Sequence, residues 1–232
     1  MAQRPQLPTF TTPPVTFVWP RLGEADTKFK AEGEFSVKLR EAQAKIQPLI
    51  DKLQPLHDAA VSAGREAYDA MPVAARKKLE AKGGGFSINP LFNVVYDEET
   101  EEPTGDIEMN FKRVASGTYK TGKKTGQKWT AKVDVFDAKM KPMDGKKVWG
   151  GTVGKIRFEV SEYFIPGTGA CGLSLRLLAA QIIELQSGGQ RDASSYGFGQ
   201  EEGYSDPGTQ EESDTPNNDE GTDGAPDKEV DF

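Results

Sequence analysis

From Phe29 to Leu39 the chain alternates without a break, with Phe29, Ala31, Gly33, Phe35, Val37 and Leu39 on one face and Lys28, Lys30, Glu32, Glu34, Ser36, Lys38 and Arg40 on the other. A period of two belongs to a strand with one face buried and the other in water. The pattern returns at Ile107, Met109 and Phe111, at Trp129, Ala131, Val133 and Val135, and at Ile156, Phe158 and Val160. It returns once more at Leu173, Leu175 and Leu177, although the continuous apolar run Leu177 to Ala180 also admits a helix. Val15 to Trp19 reads as a shorter strand closed by Pro20. Strands apolar on one face must curl or stack to hide that face.

Between the early and later strands the period changes. From about Gln47, residues Leu49, Leu53, Leu56, Ala60, Ala63 and Ala67 recur at helical spacing, with Pro48 near a first turn. Pro55 is expected to kink or divide this helix, because its ring meets the carbonyl of Asp51 and removes one hydrogen bond. Pro72 opens a second short helix through Ala81, and Gly83-Gly84-Gly85 ends it. Strands, a helical insertion at about 46–82, and further strands predict a mainly β chain. The architecture expected is a small closed or partly open barrel rather than a doubly wound α/β sheet.

Residues 187–232 follow another rule. They carry 13 acids against two bases, so the whole-chain charge of −7 conceals a body, residues 1–186, with 27 bases and 23 acids. The segment is rich in Gly, Ser, Asp, Glu, Pro and Asn and poor in large aliphatics, which predicts a disordered tail beside one folded domain over 1–186. A flexible chain of that length has a reach of roughly 35–40 Å, more than the ~16 Å radius of gyration of the body. Such a tail can compete with polyanions for its own domain or recruit partners; the alternative is that it only solubilises.

The single cysteine, Cys171, excludes an internal disulfide and fits a reducing compartment. No apolar run approaches the roughly 18 residues of a membrane span, and Met1 to Pro14 lacks a signal-peptide core. A soluble, intracellular protein is expected.

Several motifs resemble catalytic ones and fail on context. Gly117 to Lys124 nearly spells a phosphate loop, but Lys124 replaces the Ser/Thr that would hold Mg²⁺, and a strand pattern follows where a helix should start. It reads as a basic hairpin tip, with Gly122 and Gly126 shaping the loop Lys120 to Gln127. Asp144-Gly145 marks another turn. Gly167 to Gly172 matches a dinucleotide fingerprint with too little chain after it for a βαβ unit, and reads as a turn holding Cys171 as a small filler. His57, the only histidine, is expected on a helix surface. Asp134 points outward and Asp137 into a turn, without a third acid to complete a nuclease metal site. No cofactor, metal or enzymatic activity is expected.

The signal that accumulates is distributed. Lys28, Lys30, Lys38, Arg40, Lys112, Lys128, Lys132, Arg157 and Arg176 occupy outward strand positions, joined by Lys120, Lys123 and Lys124 on the loop. Such cations neutralise phosphates without reading sequence. Tyr119, Trp149, Tyr163 and Phe164 interleave with them as candidate base-stacking rings, each equally open to core or strand-pair packing, while Trp129 and Phe35 fall on apolar faces and are assigned to the core.

This layout resembles the single-stranded DNA-binding proteins of T-odd short-tailed phages. The resemblance rests on Gly33 to Leu39 before a long helix, on Val133 to Met143, on Gly150 to Phe158, on Gly172 to Leu177, and on the closing Asp231-Phe232. It implies an oligonucleotide-binding (OB) barrel of about five strands in a non-enzymatic protein of phage replication and recombination, working in the cytoplasm of an infected bacterium. It further implies that the tail, through Asp231 and Phe232, recruits a polymerase, helicase or exonuclease, and that the DNA-contact ring is Tyr163 or Phe164. A homodimer stays open. The rival reading is an acid-tailed chaperone-like or histone-like protein that binds basic partners.

Overall fold

Strands that are apolar on one face are stable here because five of them close into a ring. The computed structural model describes residues 6–143 and 146–186. The chain divides into two units, 1–190 and 191–232, and the described residues all lie in the first. The acidic tail with its expected disorder, Asp231, Phe232 and the Asp144-Gly145 turn lie outside the described residues.

In chain order the elements are β1 (Thr9–Thr11), β2 (Val15–Asp26), β3 (Glu34–Ala42), α1 (Gln43–Asp69), α2 (Val73–Glu80), β4 (Ser87–Ile88) and β5 (Asn93–Tyr96). Then come β6 (Pro103–Val114), β7 (Ser116–Thr118), β8 (Lys128–Thr130), β9 (Asp134–Phe136), β10 (Val153–Ile165) and β11 (Ala170–Glu184). The antiparallel run β10-β2-β3-β6 continues into β11 through a parallel pairing, and β11 returns antiparallel to β10. That closed five-strand circuit is the OB barrel expected from the sequence. Its interior holds Phe17, Phe111 and Phe158, all fully buried, with the Phe111 and Phe158 rings 4.8 Å apart.

Closure depends on β10 serving two neighbours at once. Gly154 pairs with both Val15 and Ile182, and a Cβ there would come within 2.8 Å of the Phe17 ring. Helix α1 lies against β10, β11, β3 and β6. It buries Ile46, Leu49, Ile50, Leu53, His57, Ala60, Gly64 and Tyr68, the stripe its spacing dictates. No helix among the described residues is long and apolar enough to cross a membrane.

Several expectations need correction. Pro55 does not divide α1, and Pro48 lies well inside it rather than at its first turn. The two prolines, seven residues apart, share the exposed face of the helix with Ala44 and Asp51, the residues whose carbonyls they leave without a helical partner. Pro20 does not close β2. It lies in a bulge between Val18 and Arg21, and because Phe17 and Leu22 both point inward at odd spacing, an extra residue is absorbed there. Phe29 is not in a strand or the core: Lys30 to Gly33 form a turn, and Phe29 is 83% exposed.

The expected strand 128–136 splits into β8, which pairs with β7, and β9, which pairs with β11. Trp129 consequently lies half-buried over Gly117 in the projecting β7-β8 hairpin and outside the core, whereas Phe35 is buried as expected. The Leu177 to Ala180 run is strand: opposite Arg157 and Phe158 the register skips Leu178, and this bulge breaks the alternation. His57 is buried, with Nε2 donating to the carbonyl of Asn89 at 2.8 Å, and is not a surface residue. The short edge strands β1, β4 and β5 carry too few residues to show a period.

Cys171 stands in β11, just past the Gly-rich turn, against Gly64 of α1. A Cβ on Gly64 would overlap the Cys171 Cβ and come within 2.8 Å of its Sγ. Gly to Ala inside a helix ordinarily gains about 1 kcal/mol. Here the added methyl must push a helix off a sheet, and overpacking costs about 1–3 kcal/mol. Gly64→Ala is therefore expected to lower Tm by a few degrees, at about 2–4 °C per kcal/mol for a domain of this size. Calorimetry showing a raised Tm would contradict this packing.

Candidate nucleic-acid interface

OB barrels bind oligonucleotides across their second and third strands, flanked by the loops joining strands one to two and four to five. The corresponding elements here are β3, β6, residues 27–33 and residues 166–169. The inward positions of β3 and β6 are Phe35, Val37, Leu39, Ile107, Met109 and Phe111. Alternation then sends Ser36, Lys38, Arg40, Glu108, Asn110 and Lys112 outward.

Strand register sorts these residues into rows. Arg21 pairs with Ser36, Ser36 with Lys112, and Lys112 with Arg176, so one row crosses four strands and holds three cations. The next row is Val18, Lys38 and Asn110, and the third is Thr16, Arg40 and Glu108. Most of these cations are clamped by carboxylates. Glu108 binds Lys38 and Arg40, each at 2.6 Å; Glu34 binds Lys30 at 2.6 Å and Lys112 at 3.1 Å; Arg176 pairs with Glu159. Partial burial pushes Glu34 and Glu108 up. The hydrogen bonds and charges of their clamping cations outweigh that effect, so both carboxyls titrate below the ordinary range.

The β7-β8 hairpin adjoins this face, with the Ser116 hydroxyl donating to the Glu32 carbonyl and the Ala115 amide to Gly33. Its tip folds as its glycines require: Gly122 and Gly126 have φ of 84° and 85°, and the Gly126 amide donates to the Tyr119 carbonyl. The tip carries Lys120, Lys123 and Lys124, with Lys128 on β8. These four are exposed and make no ion pair among the described residues. The Lys124 ammonium lies 5.8 Å from the Tyr119 ring centre. In the neighbouring 27–33 loop Lys28 sits 5.4 Å from the exposed Phe29 ring.

The structure thus brings together Lys38, Arg40, Lys112 and Arg176 on one face, with Tyr119, Lys120, Lys123, Lys124 and Lys128 beside it. Lys132 is exposed in the link from β8 to β9. Trp149 is 46% exposed and precedes Gly150-Gly151, the turn beside β2. Arg157, Tyr163 and Phe164 belong to β10, which in a five-strand ring is not adjacent to β3. Arg157 donates to the Thr9 and Thr11 hydroxyls of β1. Tyr163 is half-buried, its hydroxyl accepting from the Asn89 amide, and Phe164 pairs with Cys171 where α1 packs. Residues 166–169 offer neither cation nor ring. Among the described residues no cluster of three or more His, Cys, Asp or Glu is arranged to hold a metal. Sequence reasoning missed Arg21 and two exposed rings, Trp19 and Phe29. The usable signal was Pro20, since proline inside a strand pattern marks a bulge.

Comparison with known proteins decides what kind of barrel this is. The family model for the single-stranded DNA-binding protein of bacteriophage T7 matches residues 12–185. The chain belongs to that family. Among solved structures, gp2.5, a single-stranded DNA-binding protein encoded by bacteriophage T7, shares the fold with a TM-score of 0.60 at 22% identity, covering 86% of this chain and 98% of that one. The single-stranded DNA-binding protein of bacteriophage Enc34, solved in complex with ssDNA, aligns at 11% identity and a TM-score of 0.48 over 77% of this chain and 88% of that one. No curated protein sequence matches the chain.

The depressed carboxyls give a pH test with a definite sign. A folded-state pKa below the unfolded value adds stability above the unfolded pKa, near 4.3 for Glu, and that stability is lost as pH falls through the folded value. The double variant Glu34→Gln, Glu108→Gln should melt below wild type at pH 7, and the gap should close on acidification to about pH 3. Tm recorded across pH checks this, and a gap of constant size would contradict the clamp.

Proposed function

We propose that this single-stranded DNA-binding protein of phage replication holds its ligand on the outward face of β2, β3 and β6, continued by the basic hairpin Tyr119 to Lys128. The observation that carries the reading is the cation row Arg21, Lys112 and Arg176 across four strands, beside four hairpin and β8 lysines that make no ion pair among the described residues. Phosphates would be neutralised along the row and at the hairpin, and rings would stack on bases, which requires unpaired strands and discriminates little between bases. Carboxylates already on the face would be exchanged for phosphates rather than displaced into a dry interior, so the swap costs little in desolvation.

The finer parts of the reading rest on sequence and family likeness. The protein coats exposed single strands without catalysing a reaction; in support, His57, its sole histidine, is occupied inside the fold by the Asn89 carbonyl. It acts in the cytoplasm of an infected bacterium. The 187–232 segment, with 13 acids, competes with DNA for the basic face, and Asp231 and Phe232 dock a replication partner with a basic-rimmed apolar pocket.

Two measurements test this reading. If ~4–6 cations contact phosphate, log K for oligo-dT should fall with log salt at a slope of roughly −3 to −4, and Lys120→Ala with Lys124→Ala should reduce its magnitude by about 1.4. Affinity for duplex equal to that for oligo-dT, or a slope untouched by the double variant, would sink the assignment. For the tail, deleting residues 200–232 should strengthen oligo-dT binding, most visibly at low salt, where an effective local concentration of order mM matters most. Unchanged or weaker binding by the folded deletion variant would leave the segment a solubilising role.

A further inference from the structure

Trp19 is the residue whose placement the fold does not need. It sits in the bulge of β2, between the Lys38 and Ser36 rows, with its side chain 81% exposed. Its backbone has a φ of 49°, in the left-handed region, one of three described non-glycine residues there and the only aromatic among them. A bulky side chain in that region is strained, and an exposed indole gains nothing from burial in return. Neither packing nor turn chemistry explains why a tryptophan, rather than Gly or Asn, occupies the position. Strained, sparsely populated conformations of this kind gather at ligand sites.

The surroundings match one kind of ligand. Trp19 walls an open cleft of about 470 Å³ with Thr16, Val18, Arg40, Gly150 and Gly151; two acids line it as well, Glu41, which is paired with Lys45, and Asp106. Arg40 lines the same cleft, Lys38 occupies the row between Arg40 and the bulge, and Gly150 and Gly151 present no side chain to obstruct a flat group. We infer that Trp19 is a base-stacking platform: one nucleobase of the single strand lies on the indole, and Arg40, exchanged from Glu108, takes a flanking phosphate. The bulge is the device that makes this stacking site, since it turns out of the strand a ring that regular alternation would send toward the core with Phe17. The inference rests on the single-strand reading above and adds to it a defined base subsite at the β2 edge of the face. A protein partner docking on the same exposed ring is the competing occupant, and it predicts no loss of DNA binding.

The test uses the full chain and oligo-dT as the probe, with three variants at one position. Trp19→Asn tolerates a positive φ and should fold with a Tm equal to or above that of wild type. It should nevertheless bind oligo-dT roughly tenfold or more weakly, as the loss of one base stack requires, with the salt slope unchanged. Trp19→Phe, which keeps a ring, should recover most of the affinity. Trp19→Gly should match Trp19→Asn in binding. Quenching of tryptophan emission by oligo-dT should shrink in all three, because the stacked indole is gone. Trp19→Asn binding as tightly as wild type, or losing affinity only together with a lowered Tm, overturns the platform. A wild type that fails to bind oligo-dT at all instead overturns the single-strand reading on which the platform stands.

Discussion

The double pairing of β10 is the constraint on which the rest of the structure depends. Gly154 sits where both pairings meet, and a Cβ there would press on the Gln181 carbonyl of β11 and on the Phe17 ring of β2 together. Closure creates the shared interior in which Phe17, Phe111 and Phe158 are lost from water, each contributing roughly 1.5–3 kcal/mol. It also fixes which residues face outward together. The row Arg21, Ser36, Lys112, Arg176 exists because four strands are held in one register, and no two of these cations are close in sequence.

The face so formed is less simple than a basic patch. Glu34, Glu108 and Glu159 sit among its cations and hold the long side chains in place before any ligand arrives. Each carboxylate subtracts charge from the face while limiting the rotamer freedom its cations must give up on binding a phosphate. The hairpin follows the opposite rule, with lysines that have no acidic partner among the described residues, on a loop shaped by two glycines with positive φ. A pre-ordered face beside an unclamped basic arm gives two electrostatic elements of different character along one path.

Much of this was legible in the chain. The alternation at Phe35 to Leu39, Ile107 to Phe111 and Ile156 to Val160 marked the inward positions correctly, and the glycines of the hairpin marked its turn. Two bulges blurred the pattern for a physical reason: an extra residue flips every side chain beyond it, so Pro20 looked like a strand end, and Leu177 to Ala180 left a helix open although the alternation before it favoured the strand that forms. Pro55 misled because its local cost does not decide the outcome: α1 runs on through it, with a buried stripe from Ile46 to Tyr68 holding both halves against the barrel. The ion pairs were invisible, since Glu108 meets Lys38 only through strand register. Tyr163 stayed a candidate stacking ring because nothing in its own strand reveals that Asn89 engages it.

The central claim is that DNA lies across β2, β3, β6 and the hairpin, and lysine footprinting tests it most directly. The chain is acylated with and without saturating oligo-dT, and each lysine's reactivity is read by mass spectrometry. The account predicts protection at Lys38, Lys112, Lys120, Lys123, Lys124 and Lys128, with Lys52, Lys77 and Lys78 on the two helices reacting as before. Protection confined to the helices, or to Lys155 on β10 with the β3 and β6 lysines untouched, would contradict it.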